Sequence, residues 1–208
     1  MKKILITTPL VMVSVAVLAQ GTVTFDNRTS TLSSPPDRLV RYDPVTVGID
    51  PTYNPFGSNS APVVNFNTVG GYKAALYYGA STDSEGSLVA VTEAPANFRL
   101  STTANPGTWG QGTRVLGSFV GGNTVNLQVR VWDSTFGATY EDWLLSGLGL
   151  GGVSSVFQYT IPSGSTPAPP EFFMSNFQGF NIHPIPEPAT VALAGLGAAA
   201  LLIFRRRK

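Results

Sequence analysis

The chain has 208 residues, of which 13 are basic and 12 acidic, so its formal net charge is only +1. It contains no cysteine and one histidine, which excludes disulfides, a cysteine nucleophile and zinc sites built on several histidine or cysteine ligands. A near-neutral chain of this kind lacks the basic footprint of a nucleic-acid-binding protein. Charged residues make up 12% of the chain, alongside 22 glycines and 16 prolines, which favours short strands and many turns.

The first 19 residues have the composition of an export signal. Lys2 and Lys3 form a positively charged start, and an apolar stretch at 4–18 leads to the small residue Ala19. A charged start, a short apolar core and a small residue at the cleavage position are typical of Sec-type signal peptides. We therefore expect export through the Sec translocon, with cleavage between Ala19 and Gln20.

The body, 20–182, shows the apolar and polar alternation of β-strands. The pattern is clearest at 124–132, where Val125, Leu127 and two further valines alternate with other side chains. We expect one face of this strand to be buried and the other to be wet. Further strands are predicted at 22–25, 39–42, 45–49, 72–78, 88–91, 98–100, 113–119, 153–161 and 172–182.

Turn formers separate these predicted strands. The Gly-Gly-Asn run at 121–123 is expected to fold 124–132 back onto the strand before it, and a surface loop is expected at 50–62. One short helix is predicted at 140–145, with Thr139 as its N-cap. About eight to ten short strands without a long helix predict an all-β class, an antiparallel β-sandwich in which a jelly roll is one option.

Apolar residues return near the end of the body. A linker rich in proline and serine is predicted at 162–170, but several phenylalanines follow it within 172–182. Because such apolar density is costly to leave in water, we expect 172–182 to rejoin the body as its last strand. Residues 183–185 are then predicted to form a stalk.

Candidates for catalysis are sparse. The single histidine, His183, lies in the predicted stalk, where a general base would be poorly held. Asp133, Glu141 and Asp142 could supply the carboxylate pair of a glycoside hydrolase, but roles in turns, in a helix cap or as solvated acids account better for them. The acids at 83–86 lack the spacing of a calcium loop, so a hairpin turn is expected there. We predict that the protein is not an enzyme and that it binds no metal and no cofactor.

Three aromatic residues are candidates for stacking on sugar rings. Tyr53 and Trp109 lie in predicted loops, and Trp132 lies on the expected wet face of 124–132. Rigid aromatic rings with one polar end are common at binding surfaces. Exposure of these rings would favour a carbohydrate-binding module, whereas core positions for them are the alternative.

Residues 186–208 consist of three parts. A Pro-Glu-Pro tripeptide precedes an uncharged stretch rich in Ala and Leu at 189–204, and four cations follow it. The tripeptide is Pro186, Glu187 and Pro188, and the cations are Arg205, Arg206, Arg207 and Lys208. Sixteen helical residues span about 24 Å, enough for a transmembrane helix if basic side chains reach the interface. The cations place their end on the cytoplasmic side.

This combination resembles the PEP-CTERM sorting signal of exported bacterial proteins. The same tail is in some classifications labelled the ice-binding protein C-terminal domain, a label that describes the tail and no activity. The resemblance covers only 186–208 and leaves the body unrecognised. It implies that an exosortase, a membrane-embedded processing enzyme resembling cysteine transpeptidases, recognises Pro186, Glu187 and Pro188. It further implies a stop-transfer role for 205–208 and a host among exopolysaccharide-producing Gram-negative bacteria.

Together these features predict an exported protein. The two terminal signals hold six basic residues and one acidic residue, so the net charge of +1 leaves the rest of the chain at −4. We expect sorting through the inner membrane to the cell envelope, the surface or the extracellular matrix. There the body is expected to have a structural or adhesive role, with exopolysaccharide as a partner. A carbohydrate-binding module is the alternative, and a glycoside hydrolase is the weakest hypothesis.

Overall fold

The computed structural model describes residues 20–28, 37–42, 71–99, 107–109, 112–163 and 173–185. These residues are built mainly of strands, which confirms the predicted all-β class. The strands are β1 (Gln20–Phe25), β2 (Arg41–Tyr42), β3 (Tyr72–Ala80), β4 (Val89–Ala90), β5 (Ala96–Asn97), β6 (Gly112–Val120), β7 (Thr124–Asp133), β8 (Leu150–Val153), β9 (Phe157–Thr160) and β10 (Asn181–Pro184). The helix α1 (Tyr140–Ser146) and a 3-10 turn (Glu85–Ser87) accompany them.

Strand β7 is the centre of the larger of two sheets. The strand order of this sheet is β2-β10-β8-β7-β3-β4, with β5 also paired to β3 and β9 to β7. β7 runs antiparallel to β3 along nearly its whole length, from Tyr72 opposite Asp133 to Ala80 opposite Val125. β10 and β2 are parallel. The smaller sheet consists of β1 and β6, which are antiparallel.

The turn at 121–123 connects the two sheets. β6 pairs with β1, whereas β7 pairs with β3, β8 and β9, so the prediction that 124–132 folds back onto the preceding strand is wrong. The amide N of Gly122 donates to the carbonyl O of Ile161 (2.7 Å), and the Ile161 N donates to the Asn123 O (2.8 Å). These bonds hold the start of β7 beside the end of β9 and away from β6.

The main core draws side chains from both sheets. Val23 and Phe25 of β1 and Leu116 of β6 are fully buried and belong to one hydrophobic cluster with Leu76 and Leu127 of the larger sheet. The predicted buried face of β7 is confirmed, because its apolar residues that belong to this cluster have no exposed surface. A sandwich of two facing layers stays a prediction.

The segment that follows the predicted linker does return to the body. Met174 and Phe177 have no exposed surface and belong to the main core, and Phe173 forms a parallel bridge with Thr24 of β1. The return of 172–182 to the body is therefore confirmed over its described residues. Its regular strand, β10, begins only at Asn181.

The face of β7 that was expected to be wet is covered. Asn126, Gln128 and Trp132 lie on that face, and none of them exposes more than 8% of its surface. The Gln128 Nε2 donates to the Glu85 Oε1 (2.7 Å) and to the Ser154 O (3.0 Å). The expectation is wrong because the 3-10 turn and α1 lie over this face, which local alternation cannot reveal.

Several predicted segments lie outside the described residues. They are the signal peptide at 1–19, the strand at 45–49, the loop at 50–62 and the membrane helix at 189–204. Within the residues that are described, none of the helices has the length and apolar character needed to cross a bilayer.

Candidate functional site

A second apolar cluster lies on the face of the larger sheet opposite the main core. We call it the outer cluster, and its buried members are Ala75, Tyr77, Leu88, Trp132 and Trp143, with Tyr140, Val156 and Ile185 packed against them at partial burial. Successive side chains of a strand point to opposite faces, so β3 and β7 supply both clusters. The outer cluster joins α1 to the last described residue of the chain.

Local sequence explains why α1 forms over this face. The Thr139 Oγ1 accepts from the Asp142 N (3.1 Å), and the Asp142 carboxylate accepts from the Thr139 N (3.2 Å). This reciprocal capping box satisfies two amides that the helix itself leaves unpaired, and it confirms Thr139 as the N-cap. Gly147 ends the helix in the left-handed conformation, with φ of 68°.

Trp143 attaches α1 to the sheet. Trp143 is the buried residue of the helix. Its indole lies so close to β8 that a Cβ placed on Gly151 would be 2.5 Å from two of the ring carbons. Only glycine leaves room for this contact. Gly151 is in turn paired with Trp132 of β7 and with His183 of β10.

Tyr77, Arg130 and Glu141 form a charged and aromatic group at the edge of the outer cluster. The Tyr77 hydroxyl donates to the Glu141 carboxylate (2.8 Å), and the Arg130 guanidinium lies 3.9 Å from the centroid of the Tyr77 ring and 3.4 Å from a Glu141 oxygen. Burial, and then the hydrogen bond to Glu141, raise the pKa of Tyr77. The group therefore holds Tyr77 neutral and fixes α1 against β3.

The three acids weighed for glycoside hydrolysis have separate local partners. Glu141 binds Tyr77, Asp142 caps α1, and the Asp133 carboxylate accepts from the Thr135 N (2.9 Å). Asp83 likewise accepts from the Ala80 N (2.7 Å) in the predicted hairpin turn. Over the described ranges, no group of three or more His, Cys, Asp or Glu side chains is placed to hold a metal ion.

Two of the three aromatic side chains considered as candidates for stacking on sugar rings are buried. Trp109 has no exposed surface and packs against Phe25, with ring centroids 4.9 Å apart. Trp132 is 1% exposed, and its Nε1 donates to the Gly137 O (3.0 Å) under α1. Both rings therefore have the core positions that were the alternative to sugar stacking, because loop and helix residues fold over them. Tyr53 lies outside the described residues.

The described residues end directly before the predicted tripeptide. His183 and Pro184 belong to β10, paired with Gly151 and Leu150 of β8, and Ile185 packs against the outer cluster. Residues 183–185 are therefore part of the sheet and its packing, which corrects the predicted stalk. His183 is an exposed strand residue, and no separate linker precedes residue 186.

The opposite end of the described chain begins at Gln20, the first residue after the predicted cleavage bond. Gln20 is exposed and starts β1, where it pairs with Val120 beside the turn that leads into β7. The predicted cleavage residue Ala19, the tripeptide 186–188 and the basic run 205–208 lie outside the described residues. Their roles stay predictions.

Sequence reasoning missed one surface feature of α1. Leu144, Leu145 and Leu148 are exposed by 49%, 86% and 57%. They lie at the end of a helix of seven residues and in the turn after it. A helix this short, with Trp143 facing inward, cannot bury its other apolar side chains, and the adjacent leucine pair was the signal that could have revealed it.

Comparison with protein families gives one match. Residues 184–208 match the PEP-CTERM protein-sorting motif, which agrees with the tripartite pattern of 186–208 and leaves the body unassigned. No curated protein and no solved structure matches the chain. The matched region begins at Pro184, so it overlaps the last residue of β10.

Proposed function

We propose, because this chain carries the PEP-CTERM protein-sorting motif at residues 184–208, that it is an exported protein sorted by an exosortase. Its body then serves the cell envelope or exopolysaccharide matrix in a structural or adhesive role. The single observation that carries the proposal is the motif itself. The matched region begins at Pro184, within β10, which supports a folded cargo that is delivered as one unit.

The proposed route has three steps. The Sec translocon recognises the signal at 1–19 and exports the chain, with cleavage after Ala19. The apolar segment 189–204 then holds the protein in the inner membrane, with the basic run 205–208 on the cytoplasmic side. The exosortase finally recognises the tripeptide 186–188 and releases the body toward the surface.

We further propose that the body catalyses no reaction. Glu141, Asp142 and Asp133 are each held by a local hydrogen bond that stabilises the fold, and His183 is an exposed residue of β10. A carbohydrate-binding role through Trp109 and Trp132 is not favoured, since both rings are buried. A structural or adhesive role needs none of these groups at the surface.

Intact-mass spectrometry of the protein from its own host tests the route. We expect a matrix or surface species that begins at Gln20 and ends near Pro186. A matched variant with alanine at 186–188 should keep its full tail and remain in the membrane fraction. A wild-type protein found only in membranes, with residues 189–208 intact, would overturn exosortase processing.

The absence of catalysis is tested on the polysaccharide of the host. We expect the purified protein to release no new reducing ends from it. If release is observed, the double variant Glu141→Gln/Asp142→Asn decides its origin. Loss of release in a variant that still melts cooperatively would overturn the non-enzymatic proposal, whereas unchanged release would assign it to a contaminant.

A further inference from the structure

The exposed leucines of α1 form a patch without charge. We call Leu144, Leu145 and Leu148 the leucine patch. The acids of α1, Glu141 and Asp142, lie one turn before the leucines, but Glu141 is bound to Tyr77 and Arg130 and Asp142 caps the helix. Single exposed apolar residues are ordinary, but three within five residues on one short segment form a local apolar surface that favours an apolar partner.

The leucine patch lies beside the point where the chain leaves the fold. Trp143, the residue before the patch, shares the outer cluster with Ile185. Leu150, two residues after Leu148, is paired with Pro184 of β10. The patch and the exit toward the sorting motif are therefore attached to the same corner of the larger sheet.

The chain between this corner and the apolar segment is short. The four residue steps from Ile185 to Ala189 span at most about 14 Å when fully extended. While 189–204 lies in the bilayer, as the proposed function requires, the corner of the body next to Ile185 must stay within that distance of the hydrocarbon boundary.

We propose that the leucine patch docks on the outer surface of the bilayer that holds residues 189–204. Leucine side chains enter the boundary between headgroups and acyl chains to a depth of about 5–10 Å, and the gain comes from removal of apolar surface from water. The patch carries no cation, so docking does not require anionic lipid and does not weaken with salt. It holds the body next to the membrane until the tail is cut.

Single-cysteine labelling tests this directly, because the chain has no native cysteine. The protein is purified from membranes of an export-competent host without exosortase, so that the signal is removed and the tail is kept. Leu145→Cys carries an environment-sensitive fluorophore in the patch. The matched control is Thr82→Cys, an exposed position in the turn after β3, at the opposite end of the β3 and β7 pair. Both proteins are reconstituted in phosphatidylcholine vesicles containing a spin-labelled quencher lipid.

We expect the label at position 145 to be quenched at least about twofold more strongly than the label at 82, as its predicted depth requires. Adding Leu144→Ser and Leu148→Ser to the Leu145→Cys protein should reduce quenching toward the control. Equal quenching at both positions would overturn docking. A blue-shifted label that the lipid does not quench would also overturn it, since a second copy or residues 189–204 would then cover the patch.

The same experiment separates this inference from the proposed function. If the vesicles float with the protein and only the quenching pattern fails, docking alone is wrong. If the protein does not float with the vesicles, the membrane anchor of the proposed route fails and docking fails with it. Exosortase processing is decided independently by the masses of the protein from its host.

Discussion

At the scale of single residues, a few side chains join the helix to the sheet. Tyr77 supplies a ring to the Arg130 guanidinium and a hydroxyl to the Glu141 carboxylate. Gly151 has no side chain, so the Trp143 indole can reach the backbone of β8. Tyr77 acts through a hydrogen bond and a cation–π contact, whereas Gly151 acts only by leaving space, and each contribution can be removed separately.

Replacing Tyr77 by phenylalanine should reduce stability and its dependence on alkaline pH. The lost hydrogen bond costs about 0.5–1.5 kcal/mol at neutral pH. Because the folded state raises the pKa of Tyr77 above its ordinary value of 10.0, the native protein retains a proton that the unfolded chain loses as the pH rises above that value. Stability therefore falls with alkaline pH.

The measurement is urea unfolding of the wild type and of Tyr77→Phe at a series of pH values from neutral to above the ordinary tyrosine pKa of 10.0. The variant should lose stability less steeply than the wild type as the pH rises. Tyr72, whose pKa burial also raises, remains in both proteins and accounts for the part of the slope that they share. If stability fell equally steeply with pH in both proteins, the pKa of Tyr77 would be the same in the folded and unfolded states.

Gly151→Ala should destabilise the protein by about 1–3 kcal/mol, the usual cost of overpacking. The added Cβ would lie 2.5 Å from two ring carbons of Trp143 and 2.7 Å from the carbonyl O of Val131, so neither backbone nor ring can stay in place. The control is Gly86→Ala, where no atom lies within 4 Å. Chemical denaturation of both variants checks this, and an equal effect at the two glycines would contradict the packing at Gly151.

At the scale of elements, α1 depends on both its cap and its contact with the sheet. It has only seven residues, and an isolated helix of that length is not stable in water. The capping box at Thr139 and the burial of Trp143 therefore act together. The leucine patch remains exposed because the helix buries only one side.

Thr139→Ala should lower the free energy of unfolding by about 1 kcal/mol, the typical cost of losing a threonine N-cap. Hydrogen exchange at the amides of α1 should accelerate more than exchange in β3 and β7, since the helix can open without the sheet. Thr135→Ala, at an exposed position outside the helix, is the matched control. Unchanged exchange in α1 would mean that Trp143 alone holds the helix.

At the scale of the whole molecule, β7 is shared by both clusters and by three partner strands. Its residues face the main core on one side and the outer cluster on the other. The start of β1 and the turn before β7 lie at one end of this strand, and the exit at Ile185 is attached to its other end through β8 and β10. A destabilising substitution in β7 should therefore lower the stability of the whole body.

Leu127→Ala should destabilise the body by about 2–5 kcal/mol, because it opens a cavity at a residue without exposed surface. The transition should remain a single cooperative step, since both clusters rest on the same strand. Val89→Ala, at a residue 55% exposed in β4, should change stability by less than about 0.5 kcal/mol. Circular dichroism during urea unfolding measures both, and two separate transitions for Leu127→Ala would contradict a shared core.

The strands and the helix cap were accessible from sequence because their signals are local. Alternation of side chains located β3 and β7, and Thr139 with Asp142 located the start of α1. The hairpin at 121–123 was predicted wrongly because a Gly-Gly-Asn turn permits a sharp reversal but does not say which strand the chain then meets. Whether Trp109 and Trp132 are buried stayed open for a related reason, since burial depends on elements distant in sequence.

The sequence by itself determined the all-β class and the sorting motif at 186–208, because strand periodicity and a tripartite signal are properties of consecutive residues. Only the tertiary structure decided that both faces of β7 are covered, where the last strand ends and how close the leucine patch lies to Ile185. Those features arise when α1, β8 and β10 meet β7, and the free energy of that packing is shared among residues far apart in the chain.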